Sequence, residues 1–96
     1  MPIVLIHRTD WTPKEYERAS EVLAGGVPKS PSDWPVEGLL SHAAGPVDGG
    51  WCVVDVWKDR ESAEQFGQIL QQRLSEAGLL GEGHDPVVYE AYNFVQ

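Results

Sequence analysis

The sequence predicts an α+β domain with one antiparallel four-stranded sheet and two helices on one of its faces. Three observations predict this class. The predicted elements follow the order strand, helix, strand, strand, helix, strand within 96 residues. The only tight-hairpin signal, the Asp-Gly step at Asp48, lies between the two middle strands. The two remaining connections, from the first to the second strand and from the third to the fourth, each contain a helix. Because such crossovers are right-handed, both helices lie on the same side of the sheet.

The first strand and first helix have strong local signals. Pro2 to Arg8 is rich in aliphatic and β-branched residues and too short for a helix, so it predicts a strand. Thr12 to Glu15 combines an N-cap threonine, a proline at the first helical position and a glutamate that can bond back to the cap. Gly25 and Gly26 end this helix. Its apolar stripe consists of Tyr16, Ala19, Val22 and Leu23.

A proline-containing loop and a hairpin follow. Val27 to Glu37 holds three prolines, which forbid a regular helix or a central strand, and Trp34 is its only large apolar anchor. Gly38 to Gly45 predicts the second strand, and Pro46 to Gly50 supplies the turn. Trp51 to Lys58, β-branched and aromatic throughout, predicts the third strand.

The second helix and the last strand complete the pattern. Asp59 is a good N-cap for a helix over Arg60 to about Ala77. Leu79 to Pro86, which contains His84, predicts a loop, and Val87 to Val95 predicts the final strand. The helix stripe consists of Ala63, Phe66, Leu70, Leu74 and Ala77.

Charge and composition exclude several function classes. Seven Lys+Arg against fifteen Asp+Glu give a formal net charge of −8. This charge argues against nucleic-acid and membrane partners, because both require clustered cations. No apolar run approaches the roughly 20 residues of a membrane-spanning helix, and the start lacks the basic region of a signal peptide. With Cys52 as the single cysteine, we expect a cytoplasmic protein of one domain, 1–96.

The third strand has two different faces. One carries small apolar side chains and is expected to meet the helices, whereas the other carries two tryptophans and would lie on the helix-free face. Such a patch marks an interaction site, so we expect a homodimer joined through the helix-free sheet faces. The alternative is a monomer with partly exposed tryptophans. The first set is Cys52, Val54 and Val56, and the second is Trp51, Val53, Asp55 and Trp57.

The order of elements is that of the ferredoxin-like fold. Three segments also resemble a family: GLLSHAAGP at 38–46, DGGWCVVDVWKDRESAEQF at 48–66 and YEAYNFV at 89–95. In these segments the chain resembles the dimeric α/β-barrel superfamily, in particular small proteins similar to antibiotic-biosynthesis monooxygenases. That superfamily includes cofactor-free quinone-forming oxygenases, polyketide cyclases and haem-degrading enzymes. The haem-degrading branch presents a histidine from the second helix, and here that helix has none.

Asp55 is the outlier of the third strand, because it is a carboxylate flanked by valines. A buried ionised carboxylate costs several kcal/mol unless it is paired. Two histidines are candidate partners: His42 on the neighbouring second strand, and His7 at the end of the first strand. The functional interpretation is a catalytic pair, with Asp55 as a base or as the group that orients the histidine. The structural interpretation is a hydrogen-bonded acid at the dimer seam.

Aromatic side chains are the candidate substrate-binding residues. Trp57 and Tyr92 would present flat walls to a planar ligand, with Trp34 as a lid. Glu90 shares the face of Tyr92 on the last strand, and we expect this face to line the lumen of the barrel that the two paired sheets of the dimer would form. The alternative for each aromatic residue is ordinary core.

Neither a metal nor another cofactor is expected. The three histidines lack metal-site spacing, and no dinucleotide, phosphate-loop or nucleophile-elbow motif is present. The resulting hypothesis is a cofactor-free enzyme of secondary metabolism, of monooxygenase or cyclase type, with an apolar aromatic or polyketide-like substrate. In it, His42 or His7 abstracts a proton while Asp55 orients the imidazole. The alternative is a non-catalytic homodimer that binds such a ligand or has a packed lumen.

Overall fold

The structure is a computed structural model that describes residues 1–79 and 86–96. Residues 80–85, which include His84 and most of the predicted second loop, lie outside the described part. The bounds of the first three strands and both helices agree with the prediction within one or two residues. The described strands are β1 (Ile3–Thr9), β2 (Leu39–Val47), β3 (Gly50–Trp57) and β4 (Val87–Glu90), and the helices are α1 (Pro13–Ala24) and α2 (Arg60–Glu76).

The four strands form one antiparallel sheet in the order β2-β3-β1-β4. Both helices pack on the same face, where Ala19 of α1 and Phe66 of α2 border a cavity together with Val53 of β3. This arrangement confirms the predicted α+β class and the ferredoxin-like order of strands. None of the helices in the described residues is long and apolar enough to cross a membrane.

Local signals set the ends of these elements as predicted. The Thr12 hydroxyl accepts a hydrogen bond from Glu15 N at 3.3 Å, and the Glu15 carboxylate accepts one from Thr12 N at 3.1 Å. Asp59 caps α2 with a single side-chain hydrogen bond, in which Oδ1 accepts from Ser62 N at 2.8 Å. Gly49 adopts φ 81° in the hairpin turn, a left-handed conformation that glycine tolerates best. These contacts are all local, so they can be read from the sequence.

The prediction of which β3 face meets the helices was wrong. Trp57 is 0% exposed, and its ring centroid lies 5.0 Å from that of Phe66 on α2. Val56 instead packs with Val4 and Ala91 on the helix-free face. Side chains alternate between the two faces of β3, and both faces are largely apolar. The pattern therefore does not indicate which face the helices cover. The structure places the larger aromatic set between the sheet and the helices.

The last strand is shorter than predicted, because β4 ends at Glu90. The backbone N–H of Ala91 donates to Pro2 O at 2.8 Å. Phe94 then packs against the helix-free face, and Gln96 Nε2 donates to Leu40 O at 2.8 Å. Residues 91–96 therefore cross the helix-free face from the β1 side to β2 and cover part of it.

Candidate functional site

A carboxylate–imidazole pair lies on the helix-covered face of the sheet. His42 of β2 is directly opposite Asp55 of β3 in the strand register. His42 Nδ1 lies 2.5 Å from Asp55 Oδ1. Asp55 is 2% exposed, so its carboxylate depends on this partner instead of on water. His42 is one of the two histidines that the sequence offered as partners of Asp55.

Tyr16 of α1 extends the pair to three groups, because its hydroxyl lies 2.9 Å from His42 Nε2. A carboxylate only accepts hydrogen bonds, so Nδ1–H donates to Asp55, and in the tautomer protonated at Nδ1 the Nε2 atom accepts from the Tyr16 hydroxyl. Burial raises the pKa of Tyr16 above 10.0, a hydrogen bond with Ser20 opposes the rise, and the charge of Asp55 adds to it. Tyr16 therefore remains a phenol that donates a hydrogen bond at neutral pH.

A small cavity of about 50 Å³ lies beside these three groups, between the sheet and the helices. Most of its wall is apolar, with Leu5, Phe66 and Leu70 among the lining residues. A water molecule in the liquid takes about 30 Å³, and a cavity of roughly 150 Å³ holds benzene. The inner cavity, as we call this space, therefore fits water but is too small for an aromatic ring in this conformation.

His7 contributes a second imidazole to the same inner cavity. It is buried on β1, opposite Val53 and two register positions away from the pair formed by Leu5 and Asp55, so it lies on the same face of the sheet. Its ring meets that of Trp11 edge-on, with centroids 6.2 Å apart and planes at 77°. The structure thus brings both candidate histidines to the cavity that contains Asp55.

Trp34 covers His42 from the side of the loop between α1 and β2. The centroids of the two rings are 4.4 Å apart, with an interplanar angle of 56°. Trp34 is half-buried and lines the inner cavity, as does Pro28 from the same loop. A residue considered as a lid from the sequence is therefore in contact with the imidazole.

Three predicted substrate-binding residues lie away from the inner cavity. Trp57 belongs to the core beneath α2, where Phe66 covers it. Tyr92 is 97% exposed, because β4 ends before reaching it. Glu90 is exposed as well, with its carboxylate 3.6 Å from Arg60 Nη2. Their expected positions depended on the wrong face of β3 and on a longer last strand.

Tyr16 was missed as a site residue, although a signal for it existed. It belongs to the predicted apolar stripe of the first helix, which faces the sheet. A tyrosine on a buried face needs a hydrogen-bond partner for its hydroxyl. The stripe therefore indicated that a phenol group reaches a polar group on the sheet, and His42 is that group.

Residues 1–79 and 86–96 contain no group of three or more His, Cys, Asp or Glu side chains arranged to hold a metal ion. A scan against protein-family models and a search of curated proteins both found no match.

Proposed function

We propose that this protein is a small-molecule enzyme that abstracts a proton from an apolar aromatic or polyketide-like substrate without a metal or nucleotide cofactor. The observation that carries the proposal is the position of His42. Its ring is fixed by a buried carboxylate at Nδ1 and carries an acceptor nitrogen at Nε2. This arrangement is suited to a general base, because the partner carboxylate orients the imidazole and stabilises the imidazolium that forms.

The surroundings of His42 support proton transfer. Asp55 is almost fully buried, and the adjacent cavity is mostly apolar. In a water-poor site, electrostatic interactions between Asp55 and a charged imidazole are stronger than in bulk solvent. Tyr16 keeps its proton and can donate a hydrogen bond to an oxygen on which negative charge develops. His42 thus supplies the base, Asp55 the carboxylate that orients it, and Tyr16 a hydrogen-bond donor.

Two reaction types use the resulting carbanion or phenolate. In a monooxygenase reaction, an activated CH₂ group reacts with dioxygen, so that one oxygen atom forms the product carbonyl and the other leaves as water. In a cyclase reaction, the carbanion attacks a carbonyl of the same molecule, with no net redox change. The resemblance to antibiotic-biosynthesis monooxygenases within the dimeric α/β-barrel superfamily supports both types, since both occur in that superfamily.

The small volume of the inner cavity favours a second candidate function, a binding or structural protein without catalysis. At about 50 Å³, this cavity holds no aromatic ring unless the structure opens. In a protein without catalysis, the contact between Asp55 and His42 contributes only to stability. Substrate turnover and its dependence on His42 distinguish the two functions.

The test is solvent deuterium exchange into a panel of carbon acids, 1,3-diketones and anthrones, followed by proton NMR. We expect the wild-type protein to catalyse exchange and His42→Asn to lose at least about 10²-fold in rate, the usual contribution of a general base. Tyr92→Phe is the matched control, because Tyr92 is exposed and is not among the residues that line the inner cavity. Equal rates for His42→Asn and the wild type, or no exchange with any compound, would contradict the proposal.

We also propose that two copies of the chain pair through their helix-free faces. The tryptophans that motivated this expectation are covered by the helices, but the helix-free face has apolar residues of its own. Val87 and Tyr89 of β4 are 57% and 49% exposed and lie opposite Ile6 and Val4 in the register. Such exposed apolar side chains gain from burial against a second copy.

Light scattering after size exclusion tests the pairing. A dimer is expected for the wild type and a monomer for Tyr89→Glu, because the charge would be buried in the interface. Val27→Glu, which changes an exposed residue in the loop between α1 and β2, is the control and should remain dimeric. A monomeric wild-type protein at micromolar concentration would refute the dimer.

A further inference from the structure

We infer that the ligand site extends through a partition formed by Trp34 into a second cavity, and that the united site takes a neutral phenol or enol of one aromatic ring. This inference rests on the proposed function and specifies its substrate class. It depends on three features: the shared wall of the two cavities, the hydrogen bonding of the loop, and the donor and acceptor groups of the site.

The second cavity, which we call the outer cavity, measures about 130 Å³ and lies between the loop and β2. Lys29, Ser30 and Leu39 line it, and none of them borders the inner cavity. Three residues border both spaces: Pro28, Trp34 and His42. These side chains are therefore the wall that separates the two cavities.

The volumes indicate why the wall matters. The inner cavity of about 50 Å³ and the outer cavity of about 130 Å³ are each smaller than the roughly 150 Å³ that accommodates benzene. The two together exceed this size, and displacing the Trp34 indole adds the space of its own ring. A one-ring ligand thus fits in contact with His42 only when Trp34 moves aside.

The hydrogen bonds of the loop permit this movement. Asp33 Oδ2 accepts from Lys29 N at 2.9 Å and from Ser30 N at 3.2 Å, so this part of the loop is a small self-capped unit. The first described backbone hydrogen bond that connects the loop to the β3 side of the fold comes later, where Gly38 O accepts from Lys58 N, the residue after β3, at 2.8 Å. Trp34 can therefore leave His42 without breaking any described hydrogen bond between sheet and loop.

The polar groups select the ligand chemistry. With Nδ1–H donated to Asp55, His42 presents Nε2 as an acceptor, and the Tyr16 phenol now occupies it. A ligand that replaces Tyr16 there must donate a hydrogen bond, as a phenol or enol hydroxyl does. A carboxylate ligand cannot donate and would be repelled by the buried charge of Asp55. The rest of the cavity lining is mostly apolar and suits the aromatic ring of the ligand.

The experiment measures binding of 4-fluorophenol by fluorine NMR to the wild type, Trp34→Ala and Trp34→Phe. We expect Trp34→Ala to bind at least about tenfold more tightly than the wild type, because affinity is reduced by the fraction of molecules in the open form. Trp34→Phe should lie between them. Val27→Ala is the matched control, since Val27 belongs to the same loop, is exposed and lines neither cavity.

The outcomes separate the inference from the proposed function. If both Trp34 variants bind 4-fluorophenol as tightly as the wild type or more weakly, Trp34 is not a partition between the two cavities. His42 then remains the proposed base. Equal affinity for 4-fluoroanisole, which has no donor, overturns the ligand class. An absence of 4-fluorophenol binding in every variant overturns the inference together with the aromatic substrate proposed above. If Trp34→Ala does not fold by circular dichroism, the comparison is carried by Trp34→Phe.

Discussion

Removing the His42 imidazole is expected to destabilise the protein much more than neutralising Asp55. His42→Ala leaves the Asp55 carboxylate, which is 2% exposed, without the partner that lies 2.5 Å away. Breaking a buried pair in this way typically costs about 3–5 kcal/mol. A domain of 96 residues has a free energy of unfolding of roughly 5–14 kcal/mol, so the loss is a large fraction of the total.

Asp55→Asn is the matched comparison, because asparagine has nearly the same shape and its carbonyl oxygen can still accept from Nδ1–H. The change replaces a hydrogen bond to a charged group, worth about 1.5–3 kcal/mol, with a neutral one of about 0.5–1.5 kcal/mol. We therefore expect a cost of about 1–2 kcal/mol. The double variant His42→Ala/Asp55→Asn should be more stable than His42→Ala alone, since it contains no unpaired buried charge.

Urea unfolding of the wild type and the three variants at pH 7, followed by far-ultraviolet circular dichroism, measures these differences. The reasoning is refuted if His42→Ala costs less than about 1 kcal/mol, the value typical of a solvent-exposed ion pair. It is also refuted if the second substitution lowers the stability of His42→Ala further.

Three further predictions follow from the same structure. The pKa of Tyr16 is raised above 10.0 in the folded protein, so the folded state retains a proton that the unfolded chain loses, and stability should fall as pH rises above about 10. Urea unfolding between pH 9 and 11 should show a smaller fall for Tyr16→Phe than for the wild type. Trp57→Ala should cost about 3–5 kcal/mol, whereas Tyr92→Ala should stay within about 0.5 kcal/mol, because the first side chain is fully buried and the second is exposed. Equal costs for these two variants would contradict the observed face of β3. Thr12→Ala should lower the free energy of unfolding by about 1 kcal/mol, because it removes the cap of α1; an unchanged melting temperature would count against that role.

The fold was predictable from the sequence where the signals are local. The capping box from Thr12 to Glu15, the Asp59 cap and the turn at Gly49 each depend on residues close together in the chain. Their order then determines the topology, since right-handed crossovers leave few alternatives. The length of β4 was not predictable in this way. The chain beyond Glu90 leaves the sheet and packs Phe94 on the helix-free face. This packing joins residues that are far apart in the sequence, so no local signal predicts it.

The candidate site was predictable only in part. The need of Asp55 for a partner follows from the cost of a buried charge, and the neighbouring strand offered His42. The contact with His42 depended on the hairpin register, which places His42 opposite Asp55. Tyr16 and the correct face of β3 depended on how helices pack on the sheet, and the alternating apolar pattern of β3 is the same for either face.

The most direct test of a base at His42 is the protonation pattern of its ring, measured by long-range ¹H–¹⁵N NMR on the folded protein at pH 7. Asp55 as hydrogen-bond acceptor requires a proton on His42 Nδ1, and a base at Nε2 requires that this second nitrogen carry none. We predict this tautomer for the wild type, with an Nε2 shift that changes when 4-fluorophenol is added. A ring protonated at Nε2, or an Nε2 signal that saturating 4-fluorophenol leaves unchanged, would contradict the assignment of His42 as the base.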